Sequence, residues 1–167
     1  MMNTQQDMLD FNLQRFLEAQ DAYGSYDQAV RELEEGCKRS HWIWYVFPQL
    51  KGLGFSYNSL FYGISCRQEA EAFLANKTLE ERLRTVCRLI LKQAESGKGM
   101  REVLGSTDAM KVRSSLTLFD AIMPGDQYGE CIDKCYGGKR DGRTLAMLAD
   151  RPVQPWLTAP SNLADIL

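Results

Sequence analysis

Apolar residues recur every three or four positions along most of this chain, the spacing that aligns side chains on one face of a helix. Leu13, Phe16 and Leu17 open the series, with Asp10 placed to cap the helix that carries them. Ala29, Val30 and Leu33 follow Ser25-Tyr26-Asp27-Gln28, a capping-box pattern, and Gly36 stops that run. Two further capping-box patterns, Ser65–Gln68 and Thr78–Glu81, precede Ala70, Phe73 and Leu74 and then Leu79, Leu83, Val86, Cys87 and Ile90. The last set predicts a central, well-buried helix over Thr78–Ala94, closed at Gly97-Lys98-Gly99. Helices are also predicted over about 108–123, ended by Pro124-Gly125, and over about 126–136 and 142–149, hinged at Gly137-Gly138.

One stretch resists the pattern. His41–Phe47 is rich in aromatic and β-branched residues, and its length suits a buried strand as well as a buried helix. No second stretch offers a pairing strand, so the segment reads as helical, ended near Phe47 by Pro48. Gln49–Phe55, with Gly52 and Gly54, reads as a loop. The expectation is an all-α, single compact multi-helix domain over 8–150. Residues 151–167 then form an irregular tail, in which Pro152, Pro155 and Pro160 forbid a long helix. That tail is expected to dock through Trp156 on its own domain or a neighbouring subunit, the latter a route to a homo-oligomer.

With 167 residues, 44% apolar and a net charge of −2, the chain is long and apolar enough for one core without disulfides or metal. It has no apolar run that could span a membrane, and Met1–Asp7 lacks the basic and apolar parts of a signal peptide. A cytoplasmic location is the expectation. Five cysteines, Cys37, Cys66, Cys87, Cys131 and Cys135, follow no framework spacing and read as reduced thiols, while a single histidine argues against a zinc site. No cofactor and no metal are expected.

Charge is unevenly spread. Residues 1–36 hold eight acids against Arg15 and Arg31, a balance of −6. Residues 37–67 hold Lys38, Arg39, Lys51 and Arg67 and no acid, a balance of +4, together with eight of the chain's 17 aromatic residues. Cations beside ring faces suit an anionic, planar ligand. The alternative is that the rings are core. An isoelectric point near 5.5 lacks the footprint of a general nucleic-acid binder.

Four blocks, Phe11–Gln20, Lys38–Leu50, Lys111–Phe119 and Tyr136–Thr144, resemble the bacterial domain-of-unknown-function family 1810 over about residues 10–148. The His-Trp-x-Trp and Lys-x-Arg-Ser-Ser-x-Thr-x-Phe motifs are the specific parts. The resemblance implies a mainly helical single domain that usually stands alone; it implies no activity and no catalytic residues.

Three blocks carry candidate chemistry. His41, among Lys38, Arg39 and Trp42, is a candidate general base, with Trp44 and Gln49 beside it as ligand contacts; the alternative is a histidine that fixes a helix start. Lys111, Arg113, Ser114, Ser115 and Thr117 place polar groups in an otherwise apolar helix. They read as ligand contacts, with Lys111 and Ser114 as catalytic candidates, or as a buried structural network. Gly137, Gly138, Lys139, Asp141 and Arg143 join glycines and cations to a helix start, which suits an anion; helix caps are the plainer account. Two functions follow. The first is a pocket where the three blocks converge on a phosphorylated, nucleotide-like ligand, with His41, Lys111 and Arg143 facing it and hydrolytic or glycosidic activity as an option. The second is a non-enzymatic interaction module, with the aromatic block as core and the tail as the docking element.

Overall fold

In the computed structural model, which describes residues 10–151, the periodic apolar sets become helices. They are α1 (Gln14–Asp21), α2 (Ser25–Glu35), α3 (Ile43–Val46), α4 (Tyr57–Phe61), α5 (Arg67–Ala75), α6 (Lys77–Glu95), α7 (Met100–Leu104), α8 (Ser106–Ile122), α9 (Gln127–Cys135) and α10 (Gly142–Ala149). Among the described residues no strand forms; one isolated parallel bridge joins Leu50 to Ile64. The fold is all-α, as the spacing predicts. The ambiguous His41–Phe47 stretch supplies only the single turn α3, in which the amide of Phe47 bonds the carbonyl of Ile43 at 3.1 Å. The tail after Arg151, with Trp156, lies outside the described residues. Among those that are described, no helix is long and apolar enough to cross a membrane.

The helices start where expected, but by other means. Asp10 accepts the amide of Asn12 at 2.7 Å, closing a turn ahead of α1 rather than capping it. Ser25 is the first residue of α2, behind Gly24, and its hydroxyl shares a 2.5 Å hydrogen bond with that of Tyr45. The Ser65 hydroxyl donates to Glu69, and α6 is capped by Asn76, whose side chain accepts the Leu79 amide at 3.0 Å. No capping box closes as the sequence pattern predicts: the Ser25 hydroxyl goes to the distant Tyr45, that of Ser65 to Glu69 four residues on, and Thr78 lies inside α6.

Leu79, Leu83, Val86, Cys87 and Ile90 form the buried face of α6, the set read from the sequence. Helix α8 is buried all round only in its middle, where the six residues Ser114–Phe119 are all buried. Helices α3, α5, α7 and α9 each pack against both α6 and α8 and so join the two long rods. A row of rings runs through the core: Phe16 meets Phe73 edge-on at 5.1 Å, Phe73 meets Phe119 at 5.3 Å, and Phe119 meets Tyr128 at 5.8 Å. Each such ring stabilises the fold by roughly 2–3 kcal/mol through burial. Cysteines serve the same packing. Cys131 and Cys135 share one face of α9 and approach the carbonyls of Cys87 and Ile90 on α6, and burial pushes the Cys135 thiol up to about 12. Cys37 alone is exposed.

Two buried ionic clusters hold segments that carry no periodic signal. Arg15 donates to Glu69 at 2.6 Å and to the carbonyls of Phe11, Asn12, Phe61 and Gly63, tying α1 to the chain leaving α4. Glu32, on α2 and 2% exposed, organises the loop before α3. Its Oε1 accepts the amides of Arg39 (2.7 Å) and Ser40 (2.9 Å) and the Trp42 indole N–H (3.0 Å); its Oε2 accepts the Ser40 hydroxyl (2.6 Å) and the Gln28 amide (3.2 Å).

Candidate functional site

The loop that Glu32 fixes delivers the two tryptophans to different surroundings. Trp42 is buried, its indole N–H on Glu32 and the Lys38 ammonium 4.8 Å from its ring centre. Trp44, two residues on, is half-buried beneath the Lys111 ammonium at 3.9 Å. Asp108 links the two stacks, accepting Lys38 at 2.7 Å and Lys111 at 3.5 Å. The His-Trp-x-Trp loop is thereby joined to the first turn of α8.

A second knot joins α8 to the start of α10. The Ser114 hydroxyl lies 2.8 Å from Asp141 Oδ2 and 3.1 Å from the Met110 carbonyl, and Thr144 donates to the same carboxylate oxygen at 2.5 Å. The Asp141 amide donates to Thr117 Oγ1 at 3.0 Å, and that hydroxyl donates to the Arg113 carbonyl. Burial would raise the Asp141 carboxyl, but the Thr144 and Ser114 hydroxyls and the nearby Arg113 outweigh it and hold the group below the ordinary value.

Between the two knots lies an open cleft of about 580 Å³. Trp44 and Gln49 come from the first block, Lys111, Arg113 and Ser114 from the second, Asp141 and Arg143 from the third. The structure therefore brings together seven of the fifteen residues singled out in the sequence. It also adds nine that the pattern does not reveal, among them Phe55, Arg101, Ser106 and Met110. Phe55, 84% exposed, and Met110, 62% exposed, stand on the rim. Arg101 belongs to α7, a five-residue helix too short to show periodicity; its only local signal is a charge just after the glycine break.

The other eight lie elsewhere. His41 is exposed and does not line the cleft, because Trp42 takes the inward-facing place in the Glu32-bound loop. Arg39 is exposed and pairs with Glu35. Ser115 and Thr117 are fully buried, the former without a partner for its hydroxyl. Gly137 and Gly138 take left-handed conformations at the end of α9, where the Gly138 amide bonds the Ile132 carbonyl at 3.0 Å. They form a helix cap, and Lys139 beyond them is exposed. Of His41, Lys111 and Arg143, expected to face one pocket, Lys111 and Arg143 line this cleft and His41 does not.

Cleft electrostatics are lopsided. Among the described residues, Arg101, Arg113 and Arg143 have no carboxylate within 4.0 Å, and the single acid in the lining, Asp141, is engaged by two hydroxyls. Arg113 Nε is sealed from solvent without a hydrogen-bond partner, and the nearest compensation for this guanidinium is the Asp141 carboxylate that it helps to keep charged. The first turn of α8, at Ser106, has no side-chain cap.

A family model described as a protein of unknown function, DUF1810, matches residues 10–148. A crystal structure of the conserved hypothetical protein Rv1873 from Mycobacterium tuberculosis is similar, with 41% identity and a TM-score of 0.79; the likeness covers 83% of this chain and 97% of that one. No curated protein matches the chain.

Proposed function

The chain belongs to the DUF1810 family, whose description assigns no activity, and we propose that this member binds a small, phosphorylated, planar-ringed molecule of nucleotide type in the cleft between α3, α7, α8 and α10. The observation that carries the reading is the convergence of Arg101, Arg113 and Arg143, from three separate segments and without carboxylate partners among the described residues, beside Trp44 and Phe55. Guanidinium groups without a carboxylate partner favour phosphate oxygens, and the exposed Phe55 ring offers a face to a stacked base. The volume, about 580 Å³, suits a small molecule.

Binding is favoured over hydrolysis. Asp141 is held below its ordinary value and is a weak base, Ser114 has no imidazole beside it, and His41 lies outside the lining. A second reading, an interaction module, draws on the exposed side chains of Tyr57, Leu60 and Phe61 outside the cleft.

Thermal unfolding with and without ADP tests the reading. At a hundredfold excess over Kd, binding adds about 2.7 kcal/mol and raises the midpoint by roughly 5–10 °C. Arg113→Ala should unfold as the wild type does without ligand and should lose that rise. No midpoint change with ADP, other nucleotides or sugar phosphates refutes the proposal.

A further inference from the structure

The cleft does not end at Arg101 and Arg113. A second hollow of about 360 Å³ opens on their other side, walled by Gly99, Met100, Ala109, Cys135 and Tyr136. Arg101, Ser106, Met110 and Arg113 line both hollows, so two of the three unpaired arginines stand at the junction. Beyond it the second hollow offers no charge of its own. The Tyr136 hydroxyl donates to the Ala109 carbonyl at 2.7 Å, and burial keeps the Cys135 thiol protonated, pushing it up to about 12. The first hollow, by contrast, adds Arg143, Asp141 and the Trp44 and Phe55 rings.

We infer that the ligand carries its anionic group in the middle and a neutral ring at each end, as a pyrophosphate-bridged dinucleoside does. The inference rests on the reading of the cleft as an anion site and adds the second arm. A mononucleotide would fill the first hollow and meet the junction arginines with its terminal phosphate, leaving the apolar walls of the second bare. A central pyrophosphate between Arg101 and Arg113 directs the second ring onto Met100 and Tyr136, where the apolar face of an uncharged flat group can pack.

Gly99 allows the second hollow to be blocked without disturbing the junction. It is exposed, its backbone is extended, and a Cβ added there meets nothing within 4 Å. Calorimetric titrations of the full chain would compare inorganic pyrophosphate, ADP and diadenosine pyrophosphate, with the wild type and with Gly99→Trp. In the wild type the dinucleoside should bind at least about tenfold tighter than ADP, which is ~1.4 kcal/mol. Gly99→Trp should remove that advantage and leave ADP affinity unchanged, and the smaller Gly99→Leu should act in the same direction. Equal affinities for ADP and the dinucleoside in the wild type overturn the inference while leaving the anion site standing. Equal losses for both ligands in Gly99→Trp, or no loss for either, overturn it too. Binding of none of the three probes overturns this inference and the underlying reading together.

Discussion

Replacing Glu32 tests how the candidate site is held in shape. This carboxylate accepts five hydrogen bonds, three of them from the Arg39 and Ser40 amides and the buried Trp42 indole. Burial alone would raise its pKa, but the Ser40 hydroxyl, the Arg39 amide and the Trp42 indole more than compensate and bring it from 4.5 down to about 2. A native value below the unfolded one means that the charged form is stabilised by folding, by about 3 kcal/mol at neutral pH. The contribution is complete above the unfolded value, and falls as acid protonates Glu32 through the native one. Glu32→Gln keeps the size and one acceptor but cannot titrate, so its difference from wild type isolates this group. Urea unfolding should place Glu32→Gln about 2–3 kcal/mol below wild type at pH 7, with the gap closing between about pH 4.5 and pH 2. Glu32→Ala, which leaves three donors without their acceptor, should cost about 3–5 kcal/mol. A gap between wild type and Glu32→Gln that stays constant from pH 6 to pH 2 would refute the reasoning. It would show that the carboxylate is not selectively bound in its charged form.

Other variants probe other parts of the fold. Arg15→Met leaves Glu69 charged, buried and stripped of its cation, and should lower unfolding free energy by about 3–5 kcal/mol in denaturant titrations. Tyr128→Phe removes a hydroxyl that is sealed in without a hydrogen-bond partner, and should be neutral or raise stability by up to about 1 kcal/mol; a clear loss would reveal a partner for that oxygen. Gly36→Ala forces a side chain into a left-handed conformation, φ 78°, and brings it to 2.6 Å from Lys98 Nζ and 2.9 Å from Gln93 Oε1. It should lower the thermal midpoint by an amount equivalent to at least about 1 kcal/mol.

What the sequence reveals and what it hides divide along the range of the interactions. The buried face of α6 and the ends at Gly36, Pro48 and Gly97 depend on neighbours within a turn or two, and the pattern shows them. Helices α4 and α7, five residues each, are shorter than two turns of periodicity and leave no mark. Caps fail for a different reason: Ser25 and Ser65 are placed to cap, but Tyr45 and Glu69 take their hydroxyls. The site shows the same division. Lys111, Arg113 and Ser114 stand out as polar residues in an apolar helix, and they do line the cleft. His41 stands out by its chemistry alone, which says nothing about the direction its neighbour Trp42 imposes. Arg15 and Glu69, 54 residues apart, could not be paired from sequence because nothing local records the match.

Three of the thiols occupy one interface, where Cys87 on α6 faces Cys131 and Cys135 on α9. Folding shields them by exclusion, and for Cys87 and Cys135 also by pushing the thiol up and so away from the thiolate, the reactive form. An event that lifts α9 from α6 removes both protections at once and leaves neighbouring thiols free to oxidise before the helices re-dock. A disulfide or sulfenic acid formed in that interval would no longer fit the packed seam, so a reversible opening becomes a trapped one. Persistence of the native state under oxidising conditions is thus governed by how often that seam opens, and a thiol reductant preserves the way back.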